Sequence, residues 1–301
     1  MTFKRLTLAL VLALIFFSFA QAKEQLAKES DQQISDFSLS GFGERGKKTW
    51  DLSGKSADIF TDIIKLKDIT GNLYGEKEDI KLTADKGDFN KSEGKVHLEQ
   101  NVVITTSSGA KLLTDSLDWD RKNQVVTTKD KVNIAKENMI TTAYGAQGHP
   151  SLNQIKLERD VMVRLNSAAA DKQKEDPEKG KTVITCDGPL AIDYEKNIAT
   201  FNNNVKVDRG DLLIYSDKMD VYFLPSGKDK ELGQKAETTD SMMNTKIEKI
   251  VAHGNVRILR GDNTSYSEDA IYTTADKKIT LLGKPRLVIY SSEDLNASFG
   301  N

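Results

Sequence analysis

A chain of 301 residues with a single cysteine and a formal net charge of -2 exceeds the usual single-domain length, so about two domains are expected. It has no overall basic field for holding nucleic acid and cannot close an intrachain disulfide. With 38% hydrophobic and 7% aromatic residues, it has the composition of an ordinary soluble protein, one that must hold together without covalent staples.

At the N-terminus, Lys4 and Arg5 precede an apolar run over residues 6–20, and Ala20-Gln21-Ala22 fits the small-x-small rule for signal peptidase. Residues 1–22 therefore read as an export signal cleaved after Ala22, which directs the chain to the periplasm if the host is Gram-negative. The alternative is an uncleaved inner-membrane anchor with its basic flank in the cytoplasm, although about 15 apolar residues fall short of the roughly 20 that span a bilayer. Residues 24–34 carry one further hint of helical period, and the chain beyond them reads as strand and turn.

From there a repeat runs along the chain. Leu82-Thr83-Ala84-Asp85 leads through Phe89 to Gly94-Lys95-Val96 and on to Asn101-Val102-Val103-Ile104; thirty residues after Leu82 comes Leu112-Leu113-Thr114-Asp115, leading to Val132-Asn133-Ile134. Looser copies end at Asp160-Val161-Met162-Val163, Asn204-Val205-Lys206-Val207 and Asn255-Val256-Arg257-Ile258, and a last one replaces the Asn-Val step by Lys284-Pro285. Apolar residues alternate within each copy, with Leu113 grouped with Leu117 and Trp119, and Leu213 with Met219 and Val221: Val96, Leu98, Val102, Ile104, Leu117, Trp119, Val205, Val207, Met219, Val221, Val256 and Ile258 are expected to point inward, and His97, Val103, Asp118, Lys206 and Arg257 to the other face. Period two predicts half-buried strands. Short polar turns such as Asn90-Lys91-Ser92-Glu93-Gly94 make sequence neighbours antiparallel neighbours.

Two stretches interrupt the rhythm. Residues 166–181 are small and charged and read as a linker; residues 225–244 read as a polar loop inserted in the fifth copy. The expected division is a first β domain over 36–165 and a second over 181–300. One continuous sheet with a bulging loop is equally compatible, because the repeat is unchanged across the linker.

No catalytic set is assembled by spacing. His97, His149 and His253 occur singly, and Cys186 reads as a small half-buried residue rather than a nucleophile. The recurring Asp58, Asp85, Asp115, Asp217 and Asp269 are too sparse for a calcium ladder and read as strand-end or turn residues bonding local backbone. No catalytic residue, metal ligand or cofactor is assigned.

Trp50-Asp51-Leu52-Ser53-Gly54-Lys55-Ser56-Ala57-Asp58, with Gly71-Asn72-Leu73-Tyr74, Leu82-Thr83-Ala84-Asp85-Lys86-Gly87 and Gly109-Ala110-Lys111-Leu112-Leu113-Thr114-Asp115, resembles the periplasmic domain of the LptC family. Asn203-Asn204-Val205-Lys206-Val207 and Gly254-Asn255-Val256-Arg257-Ile258 resemble the OstA-like domain shared by LptA and the N-terminal part of LptD. The resemblance implies an all-β fold: an open, twisted antiparallel β-jellyroll, V-shaped in section, built from repeated hairpins as two units in tandem. It implies that the alternating residues named above line a trough for the lipid A acyl chains of lipopolysaccharide, which the protein would pass across the periplasm. It also implies partners, namely other OstA-like Lpt components through edge-strand pairing, and the inner-membrane Lpt transporter. Leu287, Val288, Ile289 and Tyr290, a β-forming run with few charges, are the expected docking edge.

Alternation alone does not separate a lipid-lined trough from the packed core of a closed sandwich. The reading from another class is a β-solenoid or filamentous surface protein, with a carbohydrate-active parallel β-helix as its enzymatic form; parallel coils stack each strand on its equivalent one turn later, whereas the short turns here favour hairpins.

Overall fold

The computed structural model describes residues 30–43, 46–75, 78–149, 154–166, 181–210, 212–224, 241–242, 245–276 and 278–289. The expected signal, most of the linker and of the inserted loop, and Tyr290 lie outside them. Among the described residues every regular element is a β-strand. The first family of strands is β1 (Gln32–Phe42), β2 (Lys48–Ile59), β3 (Ile63–Tyr74), β4 (Asp79–Asn90), β5 (Lys95–Thr106), β6 (Lys111–Asp120), β7 (Val125–Lys136), β8 (Met139–His149) and β9 (Gln154–Asn166). After these come β10 (Lys181–Cys186), β11 (Leu190–Asp193), β12 (Ile198–Arg209), β13 (Leu212–Phe223), β14 (Ser241–Met242), β15 (Thr245–Arg260), β16 (Asn263–Thr273), β17 (Lys278–Leu282) and β18 (Arg286–Val288). Of the stretch 24–34 with its weak helical period, residues 24–29 lie outside the described residues, and Gln32, Gln33 and Ile34 pair with Ile59, Asp58 and Ala57 as the start of β1, because a ladder of main-chain bonds outweighs a short stretch of helical propensity.

Every strand pair is antiparallel, from β1–β2 through to β16–β18. A parallel β-helix is thereby excluded for the described residues. The meander does not stop at the linker: β9 pairs with β10 through Val161↔Cys186 and with β11 through Leu157↔Leu190, and β12 continues on both. One sheet therefore carries all the repeats.

Several of the long strands turn a corner at their middle. Positive φ angles fall at Asp68 (50°), Gln100 (66°) and Asn101 (53°), Asn203 (64°) and Asn204 (52°), and Gly254 (71°) and Asn255 (48°). The register shifts at the same places, between Glu99 and Val102, Asn202 and Val205, and His253 and Val256. Bulges of this kind bend and twist a strand, and Asn and Asp tolerate the left-handed region better than other side chains. Where the break is complete, one strand becomes two: Asp187-Gly188-Pro189 separates β10 from β11, and Gly283-Lys284-Pro285 separates β17 from β18. The corner divides the sheet into two arms that fold toward each other, an open antiparallel β-jellyroll.

Asp85 and Asp217, two of the recurring aspartates, belong to this corner and bond another side chain there rather than local backbone. Asp85 accepts from Asn101 Nδ2 at 2.6 Å and Asp217 from Asn255 Nδ2 at 2.8 Å, side chain to side chain across strands; Asp58, at the end of β2 as expected, accepts from Gln33 Nε2 at 2.7 Å. Spacing in sequence could not show this, because the partners meet only through the register.

Two apolar clusters fill the roll. One gathers Phe37, Ala57, Leu66, Ile69, Ala84, Leu98, Val102 and Leu117 from β1 to β6. The other runs from Val132 on β7 to Ala270 on β16 and includes Leu157, Phe201, Val205, Met219 and Val256. Between them lies a polar seam where β6 and β7 lose register from Leu113 to Asp118: Thr114 and Thr128 share a buried hydroxyl contact of 3.2 Å, and Ser116 donates to Asp130 at 2.5 Å. The packing boundary thus falls at this seam rather than at the linker.

Candidate functional site

Cross-strand pairing aligns the inward residues into transverse rows. In one arm a row runs Leu39, Leu52, Gly71, Leu82, Ile104, Leu112, Ile134, Thr141, Val163, Ile184, Val207, Ile214, Ile258, Ser265, Leu287, each paired with the next. It crosses from the first strand to the last without a charged residue. In the other arm, Ile34, Ala57, Leu66, Gly87, Leu98 and Leu117 form the first part of a row, and Ala146, Leu157, Leu190, Phe201, Met219, Ala252, Ala270 and Leu281 the second. The two parts meet at the polar seam.

The positions singled out from the sequence all lie on this inner face. Ile104, Val207 and Ile258 belong to the first row, and Leu98, Leu117 and Met219 to the second. Val96 pairs with Trp119 in an adjacent row, which Val221 joins from the second half through its pairing with Ala199. Val102, Val205 and Val256 sit at the corner. The structure adds Leu39, Leu52, Leu112, Ile134, Ile184 and Ile214; Leu112 and Ile214 face inward in place of Leu113 and Leu213, which alternation groups with Leu117 and Met219 but which pair with Val103 and Leu259 on the opposite face, because the bulge at the corner reverses the alternation.

Accessibility differs sharply along the rows. Phe201 and Val102 are 0% exposed and Leu157 and Val256 1%, whereas Ile34 is 45%, Leu39 55% and Leu287 62% exposed. The inner face is therefore packed shut in the middle and open at both edges. On the β1 side the opening continues along the arm through Trp50 and Leu73, which pair with each other and are 42% and 39% exposed. The Trp50 indole lies over Gly41, where a Cβ would collide with the ring at Nε1; only a residue without a side chain lets the ring lie there.

Asp51, beside Trp50, faces outward. It accepts from Asn72 Nδ2 at 2.6 Å and Tyr74 Oη at 2.7 Å and pairs with Lys48 at 3.0 Å. These hydrogen bonds, Asn72's foremost, hold its carboxyl down at about 2. This network pins the tips of β2 and β3 beneath the open mouth.

The polar residues considered for chemistry do not converge. His97 Nδ1 meets Asp118 at 2.7 Å on the surface, and His253 lies 3.1 Å from Asp269 and 3.4 Å from Asp220. Cys186 is buried in the second cluster, and burial pushes its thiol up from the usual value. Among the described residues no group of three or more His, Cys, Asp or Glu is placed to hold a metal ion, and no helix is long and apolar enough to cross a membrane.

Leu287 and Val288 pair with Ser265 and Thr264 of β16, so the expected docking strand is joined to the sheet on one side. Its other side, like that of β1, has no strand partner among the described residues. Ile289, just beyond it, is 72% exposed.

Comparison with known proteins bears on this arrangement directly. No curated protein matches the chain. Residues 189–299, which take in β11 to β18, match the family described as LptA/(LptD N-terminal domain) LPS transport protein. Residues 6–166, just over half of the chain and including β1 to β9, match the family described as lipopolysaccharide-assembly, LptC-related. A bent antiparallel sheet with an apolar inner face, carrying these two matches in succession, places the chain in lipopolysaccharide transport, and it belongs to the LptC-related lipopolysaccharide-assembly family.

Proposed function

We propose that the inner face of the roll holds the lipid A acyl chains of lipopolysaccharide and passes them across the periplasm toward the outer membrane. The observation that carries this reading is the row from Leu39 to Leu287, uncharged from edge to edge and open to solvent at both ends. A saturated chain laid along it gains about 0.8 kcal/mol for each CH2 removed from water. Entry is at the β1 side, where Leu39, Trp50 and Leu73 are accessible. Onward movement requires the arms to part or the packed side chains to yield, because Val205, Met219, Val221 and Val256 already fill one another's space.

The two units, 36–165 and 181–300, act in this reading as receiving and delivering halves of one sheet. The free edges at β1 and β18 dock other OstA-like Lpt components by main-chain pairing, which would keep the apolar rows continuous across the joint. The inner-membrane Lpt transporter is the partner at the receiving end. Residues 1–22 bring the chain to the periplasm, as a cleaved signal or as an inner-membrane anchor.

The test is site-specific photocrosslinking in living cells. A photoreactive residue at Leu39, Ile104 or Val207 should capture lipopolysaccharide, and one at His97, Val103 or Asp118, on the opposite face, should not. Equal capture from both faces, or none from either, would reject the trough.

A further inference from the structure

The outer face of the second half carries a row of its own. Lys206 pairs with Tyr215, Tyr215 with Arg257, Arg257 with Tyr266 and Tyr266 with Arg286. Each stands one residue away from the inner row Val207, Ile214, Ile258, Ser265, Leu287, so the two rows occupy opposite faces of the same strands. The Arg257 guanidinium lies 4.4 Å from the centre of the Tyr215 ring, and that of Arg286 4.7 Å from the centre of Tyr266. The row borders a groove of about 930 Å³, to which Lys284 also contributes.

Charge makes this groove different from an ordinary solvated strand face. A cross-strand cation is commonly neutralised by a carboxylate opposite it; here the residues opposite are tyrosines, which orient a guanidinium without cancelling its charge. Lys206 is bonded to Asp208 at 3.2 Å, but among the described residues no ion pair engages Arg257, Lys284 or Arg286. The lining carboxylate, Asp217, is occupied by Asn255 at 2.8 Å. A guanidinium stacked on a ring keeps its N–H edge free for a bidentate oxyanion. Arg257 and Arg286 stand on strands two apart, roughly 10 Å from one another across Tyr266, a spacing that suits two oxyanion groups carried on sugar rings.

We propose that this row binds the phosphorylated saccharide of the lipopolysaccharide whose acyl chains occupy the inner face, the molecule folding over the β18 edge while no partner strand is docked there, so that docking at this edge releases the saccharide. Arg286 on the outer row and Leu287 on the inner row are consecutive in that edge strand, so one ligand reaches both faces there. The inference rests on the trough reading for its ligand and differs from it in the chemistry recognised.

The experiment measures binding of the full exported chain to deacylated, phosphorylated saccharide prepared from lipopolysaccharide, to the same saccharide after dephosphorylation, and to inorganic phosphate. The variants are Arg257→Gln combined with Arg286→Gln, and, as a control, Lys249→Gln, which removes another cation stacked 4.4 Å from a tyrosine ring, Tyr222, in the other arm. The double variant should lose about tenfold or more in affinity for the phosphorylated saccharide, the control should retain it, and dephosphorylation should abolish the difference. Circular dichroism verifies that each variant is folded. Equal binding by wild type and double variant, no binding by wild type, or full displacement by equimolar inorganic phosphate would each overturn the proposal. Photocrosslinking of acylated, dephosphorylated lipopolysaccharide at Ile104 reads the trough alone, so failure there and failure at the row are separate results.

Discussion

Asn255 Nδ2 donates to Asp217 Oδ2 at 2.8 Å and so ties the corner of β15 to the corner of β13. The same contact recurs as Asn101 to Asp85 at 2.6 Å and Asn204 to Asp187 at 2.5 Å. Each Asn has a positive φ, so one residue supplies both the bend and its latch. Asn255→Gly should keep the backbone geometry and lose only the hydrogen bond, for about 1 kcal/mol. Asn255→Val should lose both, for about 2–3 kcal/mol. At Gly254, Ala is also disfavoured, since its Cβ would run into Asp217 Oδ2. Denaturant midpoints of the two Asn255 variants decide the matter, and equal losses would assign the effect to the hydrogen bond alone.

Leu39 and Leu287 end the same inner row at opposite edges, 55% and 62% exposed. Replacing either by Arg should change folding stability by no more than about 0.5 kcal/mol, as for other exposed sites. If these edges dock other Lpt components, each variant should nevertheless lose partner capture in a pull-down. Val256→Arg, at 1% exposure, places an unpaired charge in the packed cluster and should cost more than about 4 kcal/mol. Unimpaired capture by both edge variants would remove the edges from the docking model.

Asp51 links the mouth of the roll to pH. Its folded carboxyl titrates at about 2, below the ordinary 3.8, so its contribution to stability is fully present above pH 3.8 and is lost as the pH falls through about 2. Asn72→Ala removes the largest cause and should raise the Asp51 midpoint in an NMR titration. Asp51→Asn should flatten the acid dependence of stability across that window; an unchanged profile would show that Asp51 is not coupled to folding.

Cys186 should be silent toward thiol reagents in the folded protein. It is 4% exposed, and burial raises its thiol above the ordinary value, so both access and thiolate are withheld. Labelling measured against denaturant should track the loss of β-sheet signal by circular dichroism. Early labelling would reveal local opening at the corner between β10 and β11.

Much of this was legible along the chain. The alternation of Val96 with Leu98 and of Val102 with Ile104 told which residues share a face within one arm, because side chains alternate along an unbroken strand; across the corner the register shift breaks that parity, and Leu112 and Leu117 face inward together. Short polar turns told that the pairing is antiparallel; the Asn-Val and Asp-Val steps were visible as a repeat, but that they bend a strand at its middle and latch to Asp85 or Asp217 was not, being set by register with another strand. Composition pointed to the linker as a boundary, whereas the buried cluster from Val132 to Ala270 runs straight past it.

The sequence by itself therefore determined the strands, their faces and their hand-to-hand order, all of which derive from local spacing. Only the tertiary structure decided that β9 pairs with β10 and β11 to make one sheet, that Met219 and Val256 are shut away while Leu39 and Trp50 stand open, and that Arg257 and Arg286 lie in one row with Tyr215 and Tyr266. These depend on how far the two arms close and on which strand lies beside which, and distances of that kind are created by folding between residues that the chain keeps far apart.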